Sequence, residues 1–359
     1  MKPFSRRLLA VLPLLFPFLA LAQQLQPGFD KAEYIDVLKV AARQFDSLKI
    51  DAPQRFRQAY RSPVLGLDNR WDLWVSPNRQ AVISIRGTTL ASVGWLENLY
   101  AAMVPAKGEL YLSKTTTFRY ELARHPRATV HVGWLVGTAF LAADIAPKLD
   151  SCLKSGVRDV IVTGHSQGGA LSFLLTAHLR SLQRQGALPA DLRIKTYCSA
   201  GPKPGNLYFA YDYENETRNG WSLNVVNSAD WVPEVPFSLQ TAQDFNKINP
   251  FTNAKEGMQK LGFPKRIVLK HVYNRLTKPS YRALRRYQNY MGRMASKSVR
   301  KALPDFQPPA YAATNHYVRT GQTIVLYADE AYYIVFPDDK KQLFIHHLFE
   351  PYLFLAERL

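Results

Sequence analysis

The stretch DVIVTGHSQGGALSFLL, residues 159–175, joins a strand pattern to a helix pattern through a glycine-rich turn. Val160, Ile161 and Val162 are β-branched residues typical of a buried strand. Leucines then repeat at helical spacing and indicate a helix with one apolar face. They are Leu171, Leu174, Leu175 and Leu179. The glycines around Ser166 tolerate the backbone angles of a sharp turn. The pattern therefore predicts a strand–turn–helix corner with the Ser166 side chain exposed at its apex.

The composition of the chain and its amino-terminal residues indicate the class of protein to which it belongs. The chain has 359 residues, 47% hydrophobic and 12% aromatic, which suits a large packed core and is too apolar for disorder. Residues 1–22 combine a basic start, an apolar run and small residues at Ala20 and Ala22. They predict an export signal cleaved after Ala22 and a secreted or periplasmic protein. An uncleaved anchor is the alternative, disfavoured by two prolines and the shortness of the run.

The chain carries alternating strand and helix patterns after residue 23. Strands are predicted within residues 70–88, 192–201, 222–230, 322–329 and 331–339, and helices within residues 30–48 and 130–145. Alternation of this kind predicts an α/β fold with a mostly parallel central sheet and helices on both faces. No Cys/His spacing resembles a metal site, and no metal or cofactor is expected. Cys152 and Cys198 are expected to be buried thiols, with a bridge between them left open.

Positive charge is concentrated in one segment, residues 241–303. Up to Lys301 it holds fifteen Lys or Arg and only two acidic residues, Asp244 and Glu256, a net charge of +13 out of +18 for the chain. An apolar stripe at helical spacing accompanies the cations. Its members are Tyr281, Leu284, Tyr287, Met291, Met294 and Leu303. The segment predicts a basic amphipathic helical insertion that suits an anionic membrane surface. A solvated helix packed on the domain is the alternative, and nucleic acid is not expected as a partner because the protein is predicted to be exported and carries no nucleic-acid motif.

A serine at such a corner becomes a nucleophile only with a base and an orienting acid. The order expected on this scaffold is serine, then acid, then histidine. Asp230 follows an apolar strand and is the candidate acid, whereas Glu234 is expected to be solvated. Elimination among eight histidines leaves His346 and His347 as candidate bases.

The charge of a tetrahedral intermediate requires a pair of N–H donors. Gln167 follows the nucleophile and would supply one of them. In the stretch VISIRGTT the predicted strand ends at Gly87, and Thr88 after it would supply the other. The two residues form the candidate oxyanion hole.

Several motifs in order resemble the class 3 lipase family of α/β-hydrolases. They are IRGTT, VHVGW at residues 130–134, GHSQGGA, AGPKPGN at residues 200–206, NSADWVPEVP, HYVRTGQ after residue 315 and HHLFEPYL in the tail. The resemblance implies an α/β-hydrolase fold over residues 23–359 and a Ser166–His347–Asp230 triad, because Tyr352 stands at the family's spacing after His347. His346 remains the alternative base. Asn98 departs from the family, in which aspartate is usual.

These inferences predict an exported carboxylic ester hydrolase that cleaves lipid esters, triacylglycerol or phospholipid, through an acyl-enzyme intermediate. An esterase for small soluble or polysaccharide-linked esters is one alternative. A non-catalytic lipid- or envelope-binding protein is another. Trp95, Leu99 and Met103 lie four residues apart and indicate one apolar helical face. The family resemblance implies that this region is a lid over Ser166, and a plain core helix is the alternative.

Overall fold

The structure, a computed structural model, describes residues 24–46, 48–89 and 91–359. The predicted export signal, residues 1–22, lies outside the described residues. The elements below are numbered in chain order.

A seven-stranded sheet forms the centre of the molecule, in the spatial order β1-β2-β3-β8-β9-β11-β13. Its strands are β1 Arg57–Arg61, β2 Trp71–Val75, β3 Gln80–Ile85, β8 Asp159–His165, β9 Arg193–Ser199, β11 Ser222–Asn227 and β13 Gln322–Leu326. The first two pairings are antiparallel and the remaining four are parallel. The parallel strands end at one edge, where their loops collect functional side chains.

Among the described residues, six short strands lie outside this sheet. β4 Met103–Pro105, β7 Thr129–His131, β10 Gly205–Asn206 and β12 Tyr317–Val318 form an antiparallel sheet, and β5 Lys107–Tyr111 pairs with β6 Thr117–Glu121.

The helices cover both faces of the central sheet. They are α1 Lys31–Ala42, α2 Ser92–Leu99, α3 Val132–Lys154, α4 Gln167–Arg184, α5 Leu207–Glu216, α6 Ala254–Gln259, α7 Lys265–Gln288, α8 Ala295–Ala302, α9 Glu330–Val335 and α10 Phe349–Glu357. A π-helical turn, Asn289–Met294, joins α7 to α8. Single 3₁₀ turns occupy Val232–Glu234 and Ile345–His347.

Strand alternation separates two hydrophobic cores. In β8, Val160 and Val162 pack into the core beneath α3 and α4, whereas Ile161 packs into the core beneath α1 and α10. Successive strand residues point to opposite faces, so a continuous apolar run indicates a strand covered on both sides. The predicted α/β-hydrolase fold, with a mostly parallel sheet and helices on both faces, is confirmed.

One sequence expectation changes in the structure, and one helix has the length and hydropathy of a membrane span. Residues 331–339 were expected to form a strand, but Glu330–Val335 is helix α9, because the Asp329 side chain caps it by accepting from the Tyr332 N–H at 2.8 Å. Helix α3 is long and apolar enough to cross a bilayer, yet 67% of its most apolar stretch is buried inside the domain. It is therefore a core helix.

Candidate active site

Ser166 occupies the corner between β8 and α4. Its φ is +62° and its ψ is −129°, a conformation that a residue with a Cβ adopts only under constraint. The two glycines that flank the corner permit it: a Cβ on Gly164 would lie 2.3 Å from the Gly168 backbone, and one on Gly168 would lie 2.3 Å from the Ile85 carbonyl oxygen. The Ser166 N–H donates to the Ser199 carbonyl at 2.9 Å. The hydroxyl therefore faces the cleft above the sheet.

Asp230 follows β11 and lies against the carboxyl-terminal segment. Its Oδ2 accepts from His347 Nδ1 at 2.7 Å and from the Tyr352 hydroxyl at 2.8 Å. Its Oδ1 accepts from the Val232 N–H at 2.9 Å. The Asp230 side chain has no exposed surface, so these three donors replace the water that a charged carboxylate would otherwise require.

The backbone of His347 is held by the residue that precedes the serine. His165 Nε2 lies 2.6 Å from the His347 carbonyl oxygen, and the two rings are 4.9 Å apart. A carbonyl can only accept, so Nε2 carries the proton and Nδ1 accepts from the Ser199 hydroxyl at 3.1 Å. Ser199 in turn lies 2.9 Å from the Tyr34 hydroxyl. Burial, together with nearby His347, holds the pKa of His165 well below its usual range, so the ring is neutral.

The structure thus brings Asp230 and His347 together beside the residue that precedes Ser166. Within the described part of the chain, no hydrogen bond joins Ser166 Oγ to His347 Nε2. Catalytic hydrogen bonds are often long or poorly aligned until a substrate binds. His346, the alternative base, points elsewhere: its Nε2 lies 2.9 Å from Asp338 Oδ1 and its Nδ1 lies 2.8 Å from the Tyr332 hydroxyl.

Thr88 and Gln167, the predicted oxyanion residues, contact one another beside Ser166. The Thr88 hydroxyl donates to Gln167 Oε1 at 2.7 Å and accepts from Asn98 Nδ2 at 2.8 Å. Gln167 begins α4, where backbone N–H groups have no partner inside the helix. Asn98 Oδ1 also accepts from Trp134 Nε1 at 2.9 Å. The asparagine that departs from the family pattern thus ties Thr88 to α3.

Sequence reasoning missed a buried carboxyl beneath this loop, Glu97 of α2. Its Oε1 accepts from Gln167 Nε2 at 2.9 Å and its Oε2 accepts from Asn69 Nδ2 at 2.6 Å. Complete burial raises the pKa of Glu97 to about 8. The signal that could have found it lies in α3, where a Cβ on Gly137 would meet Glu97 Oε1 at 2.4 Å. Gly133 and Gly137, four residues apart, mark the face on which α2 packs closely.

The cleft above Ser166 has a volume of about 220 Å³ and is lined mainly by apolar side chains. Its lining includes Trp95, Leu99, Trp134, Trp231, Val235, Phe237, Tyr287, Met291 and Phe344. Trp95 and Leu99 of α2 are 41% and 51% exposed. Met103, expected on the same helical face, is instead buried in β4, so the apolar stripe of the expected lid is shorter than the sequence suggested.

Two further expectations concern cysteines and metals. Cys152 and Cys198 are both buried and unpaired in the structure. Across the described residues, no group of three or more His, Cys, Asp or Glu side chains is arranged to hold a metal ion.

Part of the chain matches a known protein family. Residues 82–240 match the family described as Lipase (class 3). Over 115 residues the chain is 35% identical to "Triacylglycerol lipase OBL1" of Ricinus communis, a match that covers 30% of this chain and 20% of that protein. The chain thus spans about a fifth of the length of that relative. The class 3 lipase resemblance inferred from the motifs is confirmed over residues 82–240.

This chain is also similar to solved structures of fungal lipases. The lipase of Rhizomucor miehei, in its propeptide complex, is 21% identical with a TM-score of 0.44, covering 59% of this chain and 65% of that one. The Lip2 lipase of Yarrowia lipolytica is 20% identical with a TM-score of 0.44, covering 60% of this chain and 78% of that one.

Proposed function

From the class 3 lipase match of residues 82–240, we propose that the protein is a serine hydrolase that cleaves carboxylic ester bonds of lipids. The observation that carries the proposal is the 2.7 Å hydrogen bond between Asp230 and His347, next to a serine held at positive φ beside an apolar cleft. An acid, a histidine and a serine are the groups that acyl transfer requires.

In the proposed mechanism, Ser166 Oγ attacks the ester carbonyl carbon while His347 Nε2 takes the hydroxyl proton. Asp230 holds His347 Nδ1–H and stabilises the imidazolium that forms. The backbone N–H groups of Thr88 and Gln167 stabilise the negative oxygen. His347 then gives its proton to the leaving alcohol, and an acyl group remains on Ser166. A water molecule, deprotonated by His347, then attacks the acyl carbon of this acyl-enzyme. The bond between the acyl carbon and Ser166 Oγ breaks, His347 returns the proton to Oγ, and the fatty acid is released.

The cleft supports lipid esters as the substrate class. Its lining is dominated by tryptophan, leucine, valine, methionine and phenylalanine side chains, a surface that favours an acyl chain over a sugar. Esterase action on small soluble or polysaccharide-linked esters is the alternative within enzymes. Hydrolysis rates on p-nitrophenyl esters, triacylglycerols and phospholipids distinguish these substrate classes. Lipid esters are expected to be hydrolysed faster, because their long apolar acyl chain can be buried in the cleft.

A fluorophosphonate probe tests whether the protein is an enzyme or a lipid-binding protein. The probe is expected to label the wild type and the Ser172→Ala variant but not Ser166→Ala, because Ser172 lies in the same helix with its hydroxyl donating to the Gly168 carbonyl. Labelling that survives in Ser166→Ala, or that is absent from the wild type, contradicts the proposal. The latter result favours the non-catalytic alternative.

We further propose that an anionic membrane surface is the partner of helix α7. The helix carries eight cations and no acidic residue, and all eight cations are exposed. Residues 261–272 are exposed throughout, including Ile267, Val268, Leu269 and Val272. In the part of the chain that the structure describes, none of these cations forms an ion pair. Exposed apolar side chains among unpaired cations suit a bilayer interface.

Vesicle flotation tests the membrane proposal. The purified protein is expected to float with vesicles that contain phosphatidylglycerol and to remain largely unbound with pure phosphatidylcholine vesicles, and added salt should weaken binding. Equal binding to both vesicle types contradicts the charge model. Export is a separate proposal: amino-terminal sequencing of protein recovered outside the cytoplasm is expected to begin at Gln23.

A further inference from the structure

The basic insertion has two halves with different surroundings. The first half of α7 is exposed, whereas its last turns, the π-helical turn and α8 pack against the domain. Leu284 is 4% exposed, and Val299 is fully buried in the core that contains α3 and α4. The second half is therefore part of the folded domain.

This packed half reaches the cleft above Ser166. Tyr287, in the last turn of α7, and Met291, in the π-helical turn, both line the cleft that Ser166 and Gln167 also border. They are four residues apart and so lie on neighbouring turns of one helical face. Trp95 and Leu99 of α2 line the same cleft.

Backbone contacts hold this wall in place. The Ala102 N–H, just beyond α2, donates to the Met291 carbonyl oxygen at 3.0 Å. The next residue, Gly292, packs so closely that a Cβ would lie 2.8 Å from the Tyr311 ring and 3.1 Å from the Ala102 side chain. The Gln288 side chain donates to the Ala312 carbonyl oxygen. Met291 is therefore presented to the cleft by a fixed backbone, and its flexible side chain is the adaptable part.

We propose that Tyr287 and Met291 determine which acyl chains the site accepts, so the insertion is a specificity element as well as a membrane-facing segment. The proposal rests on the proposed ester hydrolysis at Ser166. An acyl chain bound to Ser166 in this cleft lies along the wall that these two side chains form. An acyl chain that is too long for the cleft collides with the Tyr287 ring and the Met291 thioether. A chain that fits the cleft buries its methylene groups against these two side chains.

The expected effects follow from the change in wall volume. Removing either side chain enlarges the cleft and favours long or branched acyl chains. Replacing Met291 with phenylalanine narrows the cleft and favours short ones. Each additional methylene that a variant can bury is expected to change kcat/KM by about three- to fourfold relative to a short ester.

The experiment measures kcat/KM for p-nitrophenyl butanoate, octanoate, laurate and palmitate with the wild type, Tyr287→Ala, Met291→Ala and Met291→Phe. Met294→Ala is the matched control, because Met294 lies in the same π-helical turn but is 50% exposed and does not line the cleft. The ratio of long-chain to short-chain activity is expected to rise in the two alanine variants, to fall in Met291→Phe and to stay unchanged in Met294→Ala.

The possible results distinguish a failure of this proposal from a failure of the proposed ester hydrolysis at Ser166. A wild type that hydrolyses none of the esters overturns the proposed function and this inference with it. An active wild type whose chain-length ratios are unchanged in all three cleft variants overturns this inference alone. Circular dichroism shows whether each alanine variant folds. If one does not fold, Met291→Phe tests the inference, and an unchanged ratio of long-chain to short-chain activity in that variant overturns it. Labelling rates with fluorophosphonates of different alkyl length give a second readout at Ser166.

Discussion

The candidate active site and the exposed half of α7 achieve their proposed roles by opposite means. Around Asp230 and His347, a few buried polar groups are held by short hydrogen bonds. Along the exposed half of α7, cations and apolar side chains meet solvent. Buried hydrogen bonds to a charged group are individually strong, whereas surface charges each contribute little and act by summation. Single substitutions are therefore expected to have large effects in the first region and small effects in the second.

The largest effect is expected from Asp230→Asn. Asparagine keeps the shape of the side chain but cannot hold the required tautomer of His347 or balance its positive charge, so kcat should fall by roughly 10⁴-fold. Steady-state kinetics on a soluble ester measure the loss. Glu234→Gln, the other acid that the sequence offered, serves as the control, and an equal loss in that variant contradicts the assignment of Asp230.

Glu97 is expected to make stability depend on pH. Its folded pKa of about 8 lies above the ordinary glutamate value, so the native state holds a proton that the unfolded chain releases. The free energy of unfolding should fall as pH rises from about 5 to about 8, by about 1.4 kcal/mol per pH unit from this group. Glu97→Gln should remove that slope, since its amide can still bond with Gln167 and a turned Asn69 amide.

Urea denaturation across this pH range measures the slope contributed by Glu97. Glu256→Gln, at an exposed position in α6, is expected to keep the slope of the wild type. Identical pH dependence in Glu97→Gln and the wild type would show that Glu97 is already ionised in the folded protein at low pH.

Tyr352→Phe should have an intermediate effect. The change removes one of three donors to the buried Asp230 carboxylate and should lower the free energy of unfolding by about 1.5–3 kcal/mol. Thermal and urea denaturation measure the loss, with Tyr327→Phe at an exposed tyrosine as the control. A variant as stable as the wild type would mean that water or another group satisfies Asp230 equally well.

The smallest effect is expected from a single charge in α7. Lys270→Gln should weaken partitioning onto anionic vesicles by about fivefold, since one cation near such a surface contributes about 1 kcal/mol. Arg57→Gln, at an exposed cation of β1, is the control and should leave partitioning unchanged. Activity on a soluble ester should be the same in both variants. A fivefold loss in the control as well would assign binding to net charge rather than to α7.

Much of the fold could be predicted from local pattern. The β-branched residues from Val160 and the leucine spacing up to Leu179 predict a strand and a helix. The structure has both elements, and both are largely buried. The prediction of a strand within residues 331–339 is wrong because a short apolar run fits the period of a strand or of a helix, and the Asp329 side chain stabilises the helix by capping it. Apolar periodicity shows that an element is amphipathic but does not show what covers its apolar face.

The insertion illustrates that limit. Its apolar stripe predicts contact with a membrane, yet Leu284 is buried against the domain and Tyr287 and Met291 line the cleft. Met294 of the stripe is exposed, and other exposed apolar residues lie earlier in α7, at Ile267, Val268, Leu269, Val272 and Leu276, where the sequence predicts no stripe.

The order of residues along the chain determined the strand–turn–helix corner, the serine at its apex and the charge of the insertion, because turns, periodicity and charge are local properties. The burial of Glu97 against Gln167 and Asn69, and the position of the insertion beside the cleft, became visible only in the folded molecule. The folded molecule also places His347, which the family resemblance implies, and not His346 against Asp230. The hydrogen bonds of Glu97 and His347 join residues that are 28, 70 and 117 positions apart in sequence. Their formation depends on how the sheet and helices pack, and local sequence does not encode that packing.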